Sequence, residues 1–177
     1  MATAPSFSIV IPTYNERDDI GATLQAAMNQ TLPAEIIVVD GGSDDDTLSR
    51  VGAFSDAVAL IEEGRRRGVA AARNAGVRSA TGDIVVFLNA DVTLPPDFLA
   101  HLAVLYDDGC AAVSVESSVE NMDAVTARYI QAMHELKYDP RSVGWSEGFS
   151  CRRDLALAAA FPEEIPGAGG EDVEFLR

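Results

Sequence analysis

The residues best suited to chemistry in this 177-residue chain stand in three short polar segments, each directly after an apolar run. They are Thr13-Tyr14-Asn15-Glu16 after Phe7 to Ile11, Asp40-Gly41-Gly42-Ser43 after Glu35 to Val39, and Asn89-Ala90-Asp91 after Ile84 to Leu88. Asp40 offers a carboxylate that can accept hydrogen bonds from a nucleobase or ribose. It can equally cap the Gly-Gly turn behind it, as Asp before glycine often does. Asn89 and Asp91 bring an amide oxygen and a carboxylate to the same side of an extended X-Ala-X segment. Both can face one divalent cation, and Mg or Mn takes such oxygens alongside substrate phosphates. The same pair also fits an Asx turn ahead of Pro95.

The apolar runs are the elements that must position these groups. Their near-continuous hydrophobicity reads as parallel strands covered on both faces. Pro12 is expected to end the first strand. Asn15 is expected to cap a helix with Glu16, Asp18 and Asp19 in its first turn and a buried stripe of Ile20, Leu24, Ala27 and Met28. Asp44 to Asp46 should open a second helix with Leu48, Val51 and Phe54 on one face. A third strand, Val58 to Ile61, and a third helix, from Gly68 or Val69 to Ser79, follow. Three strand–helix units in the first 90 residues predict an α/β fold, a mostly parallel sheet with helices on both faces.

Beyond Asp91, Pro95-Pro96 should start a helix with Phe98, Leu99, Leu102 and Leu105 inward. Cys110 to Val115 reads as a strand, Asp123 to Leu136 as a helix, Gly144 to Ser150 as strand or loop, and Arg153 to Ala160 as a short helix. Glu171 to Leu176 reads as the start of a further helix. An active-site-like segment so near the last residue implies a domain cut short at its C-terminus.

Ligands of open parallel sheets bind beyond the carboxyl ends of the strands, so the three polar segments should share one crevice. No glycine-rich pyrophosphate loop follows the first strand, and no phosphate loop ending in Gly-Lys-Ser/Thr occurs. That argues against a nicotinamide dehydrogenase or a P-loop nucleotidase. Thirteen basic residues against 28 acidic ones give a formal net charge of -15. This disfavours nucleic acid as a partner, which needs clustered positive charge. Lys137 is the one lysine among the basic residues. An arginine-dominated, acidic surface points to adaptation to high salt, where self-repulsion is screened. Cys110 and Cys151 lack metal-ligand spacing, so reduced thiols are expected rather than a zinc site or a disulfide framework. Neither a signal-peptide pattern nor a membrane-spanning apolar run is present, and a cytoplasmic location is expected.

Read in order, longer stretches around these segments carry a resemblance. They are Ser8-Ile9-Val10-Ile11-Pro12-Thr13-Tyr14-Asn15-Glu16, then Val38-Val39-Asp40-Gly41-Gly42-Ser43-Asp44-Asp45-Asp46-Thr47, then Gly68 to Gly76 with Arg73-Asn74 inside it. Phe87-Leu88-Asn89-Ala90-Asp91, Gly148-Phe149-Ser150-Cys151-Arg152-Arg153 and Gly169-Gly170-Glu171-Asp172 complete the set. Together they resemble the nucleotide-sugar-dependent glycosyltransferases of the inverting family 2, which have the GT-A fold. The resemblance covers essentially the whole chain. It implies one GT-A domain over residues 1–177, with a nucleotide-binding half, residues 1–91, and an acceptor-side half, residues 92–177.

The resemblance also implies roles. Pro12, Thr13, Tyr14 and Glu16 would line the nucleotide pocket, Asp40 would hold the base, and Arg73 would sit near the nucleotide. Asp91, with Asn89 and across Ala90, would bind Mg or Mn bridging to the diphosphate of a nucleoside-diphosphate sugar. Asp172 would be the general base toward the acceptor hydroxyl, with Glu171 positioning the acceptor or Asp172 itself. The acceptor would be a carbohydrate or a lipid-linked one, and membrane association at the cytoplasmic face would come through a missing C-terminal region. Two departures stand out: Asn89 replaces the first Asp of the family's metal motif, and Gly41 stands where many relatives have a further Asp. Trp145 and Phe149 could stack on a sugar ring or belong to the core. Arg65-Arg66-Arg67 could touch a diphosphate or anionic lipid, or be a solvated turn balancing Glu62 and Glu63. A sugar nucleotidyltransferase would want a basic glycine-rich loop after the first strand, which Thr13-Tyr14-Asn15-Glu16 does not supply. A degenerate, non-catalytic nucleotide-sugar-binding domain is opposed by the retention of Asp91, Glu171 and Asp172.

Overall fold

Apolar runs too short for helices and rich in β-branched residues become strands here, and the alternating segments become helices. The computed structural model describes residues 4–64, 67–115, 118 and 148–164. In chain order these form β1 (Phe7–Thr13), α1 (Ile20–Met28), β2 (Ala34–Asp40), α2 (Thr47–Gly52), β3 (Val58–Glu62), α3 (Val69–Ser79) and β4 (Ile84–Phe87). Then come α4 (Phe98–Asp107), β5 (Ala112–Val113), β6 (Ser150–Arg152) and α5 (Arg153–Ala159). The sheet order is β3-β2-β1-β4-β6-β5. The four strands from β3 to β4 are parallel, whereas β6 runs antiparallel to both β4 and β5.

Successive strand residues go to opposite faces, and both faces are dry. Ile9, Ile11, Ile36, Val38, Ile84 and Val86 join one cluster with Ile20 and Leu24 of α1, Val51 of α2 and Leu99 and Leu102 of α4. Val10, Ile37, Val39, Val85 and Phe87 join the other with Ala70, Ala72 and Val77 of α3 and Ala156 of α5. Double coverage is why these strands read as continuous apolar runs rather than as alternating ones. The approach of α3 to β1 is close enough to require glycine. A Cβ on Gly76 would lie 2.2 Å from Val10 Cγ1. Polar groups at the amino ends of the strands are locked together: Ser8 Oγ donates to Glu35 Oε2 at 2.6 Å, and the Thr81 and Gly82 amides donate to Glu35 and Ser8.

Several local expectations are corrected. Pro12 does not end β1, which continues to Thr13. Val10 accepts from the Leu88 amide on the β4 side, so Pro12, two residues on, faces the same way; the β1–β4 ladder has ended by then, and its missing N–H breaks nothing. Asn15 is not the cap of α1. Asp19 precedes that helix without a side-chain cap bond, and Asn15 adopts a left-handed backbone, φ 57°. Met28 and Leu105 are exposed, while Thr23 and Tyr106 are buried in their helices' inner faces. The β5 strand is only Ala112–Val113, shorter than Cys110 to Val115. Both cysteines are free thiols, and burial pushes Cys151 up to about 12, an unreactive state. Among the described residues no helix is long and apolar enough to cross a membrane. The expected helices at Asp123–Leu136 and Glu171–Leu176 lie outside the described residues, as do most of Gly144 to Ser150.

Candidate functional site

The chain builds β1, β2 and β3 outward in one direction, then returns to place β4 on the other flank of β1. The reversal creates a crevice beyond the carboxyl ends of β1 and β4, the usual ligand position in such sheets. Thr13 and Asp40 are register partners at the ends of β1 and β2, and the Gly41 amide donates to the Thr13 carbonyl at 2.9 Å. The two following loops are then zipped together. Asn15 and Asp44 exchange hydrogen bonds through side chain and backbone at 2.8 and 3.0 Å, the Asn15 amide donates to Ser43 Oγ at 2.9 Å, and the Glu16 amide donates to Thr47 Oγ1 at 2.9 Å. The left-handed backbone at Asn15, which Asn tolerates better than most residues, turns its amide toward Asp44.

Asp40 is 1% exposed and spends its carboxylate on its own turn. Its Oδ2 accepts from the Gly42 and Ser43 amides at 2.8 and 2.9 Å, and its Oδ1 from Ser43 Oγ at 2.5 Å. Of the two roles open to it, turn capping is therefore the one seen. Thr13, 5% exposed at the crevice end of β1, has an Oγ1 with no hydrogen-bond partner. A buried hydroxyl left unpaired costs free energy, and such a group at a strand end is poised for a ligand.

On the β4 side, Asn89 to Val92 is a turn closed by the Val92 amide on the Asn89 carbonyl at 3.2 Å, not the extended segment that the X-Ala-X spacing implied. Thr23 Oγ1 of α1 donates to the Ala90 carbonyl at 2.7 Å and fixes this turn from below. Asn89 is half-buried and accepts from Arg73 Nη2 at 3.4 Å, while Asp91 is exposed. Arg73 itself is 2% exposed, a buried cation in an acidic protein, with its guanidinium 5.2 Å from the Phe161 ring centroid. Burial first, then the charges of Asp91, Asp19 and Asp45, raises Glu16 above its ordinary value. Among the described residues no group of three or more His, Cys, Asp or Glu side chains could enclose a metal. The donor set that is present, Asp91 and Asn89 with Glu16 within electrostatic reach, suits a hard cation completed by phosphate and water oxygens.

The family model for glycosyl transferase family 2 matches residues 8–163, from β1 to just beyond α5. The chain belongs to that family. Glycosyltransferase AglE of Haloferax volcanii is 38% identical over 189 aligned positions, covering 99% of this chain and 62% of AglE. Succinoglycan biosynthesis protein ExoO of Rhizobium meliloti is 35% identical over 124 positions, covering 69% of this chain and 34% of ExoO. The chain thus spans less than two thirds of these curated relatives. Among solved structures, mannosyltransferase PcManGT of Pyrobaculum calidifontis, in complex with GDP-Man and Mn2+, is 31% identical with a TM-score of 0.75, covering 98% of this chain and 51% of that one. TarS of S. aureus in complex with UDP-GlcNAc superposes with a TM-score of 0.79 over 97% of this chain and 52% of that one, and at 24% identity it shares the fold, GT-A.

Pro12, Thr13, Tyr14 and Glu16 come from the end of β1 and its loop, Asp40 from β2, Asn89, Ala90 and Asp91 from the β4 turn, and Arg73 reaches Asn89 from α3. Glu171, Asp172 and Trp145 lie outside the described residues, as do Arg65 and Arg66. Arg67 pairs with Glu163 at 2.7 Å and with Glu63 at 3.9 Å. Phe149 is core, 4% exposed and stacked 6.0 Å from Phe87, so it does not present a face for a sugar. The sequence offers Asn15 only as a helix cap and assigns no role of their own to Thr47, Asn74 and Phe161. Asn15 and Thr47 carried a signal, since Asn and Thr readily bond neighbouring loops; Asn74 and Phe161 meet across 87 residues, which no local pattern reveals.

Proposed function

We propose that this chain is the catalytic domain of an inverting glycosyltransferase that moves a sugar from a nucleoside-diphosphate sugar to an acceptor hydroxyl. The observation that carries the reading is the convergence, at the β1/β4 reversal, of the unpaired Thr13 hydroxyl, the Asp91 carboxylate turn and the buried Arg73 guanidinium at Asn89. The relatives support it: their names are those of transferases and polysaccharide biosynthesis proteins, and PcManGT was solved with GDP-Man and Mn2+.

In this reading the Asn15–Asp44 zip and the Asp40-capped turn hold the nucleoside wall, with Thr13 and Tyr14 facing the base and ribose. Asp40 acts through that turn rather than by touching the base. Asp91, with Asn89, would hold Mg or Mn, which when bound supplies positive charge against the diphosphate. Arg73, desolvated and held in place, adds a fixed cation on the same side, where charge develops on the leaving diphosphate. Asp172 takes the acceptor proton as the acceptor oxygen bonds to the anomeric carbon from the face opposite the diphosphate. The carbon–oxygen bond to the diphosphate breaks, and its electron pair leaves with the phosphate oxygen. One displacement of this kind inverts the anomeric configuration. Glu171 orients the acceptor or Asp172. The acceptor is a carbohydrate or a lipid-linked one met at the cytoplasmic face of a membrane; the name of one relative, an undecaprenyl-phosphate 4-deoxy-4-formamido-L-arabinose transferase 36% identical over 110 residues, supports the lipid-linked case by pairing a lipid phosphate with a sugar.

The experiment is calorimetric titration of UDP, GDP and dTDP with Mn and with EDTA, in molar KCl. Saturable, Mn-dependent binding of one of them, lost in Asp91→Ala, is expected and names the donor base. Absence of binding by all three would overturn the donor-site reading and favour a domain that no longer uses this crevice.

A further inference from the structure

Asn74 follows Arg73 on α3 yet makes none of the contacts expected of a donor-site residue. It is 6% exposed, and its amide clasps the backbone of a distant residue from both sides. Its Nδ2 donates to the Phe161 carbonyl at 2.8 Å, and its Oδ1 accepts from the Phe161 amide, also at 2.8 Å. Nδ2 donates in addition to Glu163 Oε1 at 3.0 Å, while Glu163 Oε2 accepts from Arg67 Nη2 at 2.7 Å. A carboxamide, with its donor and acceptor side by side, suits such a two-sided clasp of one residue's backbone. The clasped residue carries the ring that matters. Phe161 packs edge-on against Phe87, centroids 5.0 Å apart at 80°, and lies under the Arg73 guanidinium. Arg73 in turn reaches Asn89.

We propose that Asn74 is a positioning residue: by clasping Phe161 it holds the aromatic platform that aims Arg73 at the Asn89–Asp91 turn, so that nucleoside-diphosphate affinity depends on a side chain that never touches the ligand. The physical case rests on how a long arginine is fixed. A buried guanidinium over an aromatic face gains from the ring quadrupole and has its rotamers restricted by the packing. Without the platform those restraints are lost, and with them the fixed direction toward the turn. Glu163, shared between Asn74 and Arg67, closes the clasp on its outer side.

This inference rests on the proposed donor site, and the test separates the two. Diphosphate affinity is measured by calorimetry in Mn, using UDP, GDP or dTDP as wild type selects, for Asn74→Asp, Glu163→Gln and the double variant, with Tm recorded for each. Asn74→Asp keeps the volume and the acceptor for the Phe161 amide but loses both donations and sets a carboxylate against Glu163. It should bind about tenfold more weakly, the scale of losing a hydrogen bond to a charged group. Glu163→Gln keeps an acceptor for Asn74 and should bind as wild type. In the double variant the amide introduced at position 163 can donate to the carboxylate introduced at position 74, so part of the loss should return; affinity changes that do not track the recorded Tm values separate positioning from a merely destabilised fold. Hydrogen exchange at the Phe161 amide in Asn74→Ala gives a readout independent of ligand, and faster exchange is expected there. Wild-type affinity in Asn74→Asp, or additive losses in the double variant, overturns the inference and leaves the donor site standing. A wild-type chain that binds no diphosphate overturns both.

Discussion

Replacing Gly76 by Ala tests the contact that seats α3, and with it Arg73, against the sheet. Two effects oppose each other. Inside a helix the exchange of Gly for Ala gains about 1 kcal/mol from backbone entropy. Against that, the new Cβ would stand 2.2 Å from Val10 Cγ1, 3.1 Å from Cγ2 and 3.2 Å from Cβ, where ordinary contact begins at 3.4 Å. Rotating Val10 to turn its Cβ–H toward the helix would drive a methyl into the packed core, since Val10 is wholly buried, and would still leave its Cβ 3.2 Å away. The helix must therefore retreat by about 3.4 − 2.2 = 1.2 Å from β1. Overpacking of this kind costs about 3 kcal/mol at the upper end of its usual range. The clash wins, by about 2 kcal/mol net, or about thirtyfold in the folding equilibrium. With a urea slope of about 2 kcal/mol/M the midpoint should fall by about 1 M, read by circular dichroism at constant slope. Gly21 in α1 is the internal control. A Cβ there meets nothing within 4 Å, so Gly21→Ala should hold or raise the midpoint. Val10→Ala should relieve Gly76→Ala, making the double variant no less stable than Val10→Ala alone. A Gly76→Ala midpoint at or above wild type would refute the close-packing argument.

Thr13→Val removes the unpaired hydroxyl at the crevice end of β1, so the ligand-free protein should be at least as stable as wild type, while diphosphate binding should weaken by about tenfold; thermal melting and calorimetry read the two effects, and unchanged affinity would remove Thr13 from the pocket. Burial pushes Glu35 upward, but the Ser8 and Thr81 hydrogen bonds together outweigh it and hold the carboxyl below its ordinary 4.5; the Ser6 amide and hydroxyl hold Asp83 below 3.8. Since both folded-state values are depressed, the stability they contribute is full above the unfolded values and is lost as pH falls through the folded ones. Denaturation midpoints should thus drop below about pH 4, with a shallower slope in Glu35→Gln; parallel slopes would refute this. With a formal net charge of -15, the chain should melt higher in molar KCl than in dilute buffer, and an unchanged Tm would argue against adaptation to salt.

By itself the sequence determined the class of fold and the end of the sheet at which the polar segments gather. Parallel strands buried on both faces must be apolar along their length, so Phe7–Thr13, Ala34–Asp40 and Ile84–Phe87 announce themselves locally, and the polar residues that end them mark the crevice. Helix faces were partly legible. The 3.6-residue period found Leu24, Leu99 and Leu102, but period alone could not decide between Met28 and Thr23, or between Leu105 and Tyr106, because each choice depends on what the neighbouring element offers. Thr23 is buried since the Ala90 carbonyl takes its hydroxyl, and Tyr106 since Ser150 Oγ takes its own at 2.9 Å.

Tertiary structure alone decided the rest. Asp40, a plausible base-binding carboxylate in the sequence, is committed to its own turn, and Asn89 to Asp91 forms a turn where spacing implied an extended pair. Asn15 zips two loops instead of capping a helix, and Asn74 clasps Phe161 from 87 residues away. These are the polar residues, and the reason is general. An apolar side chain needs only to leave water, which a local pattern can encode. A buried amide or carboxylate needs a particular partner at hydrogen-bond distance, and in a sheet whose neighbours are far apart in sequence that partner is supplied by the fold.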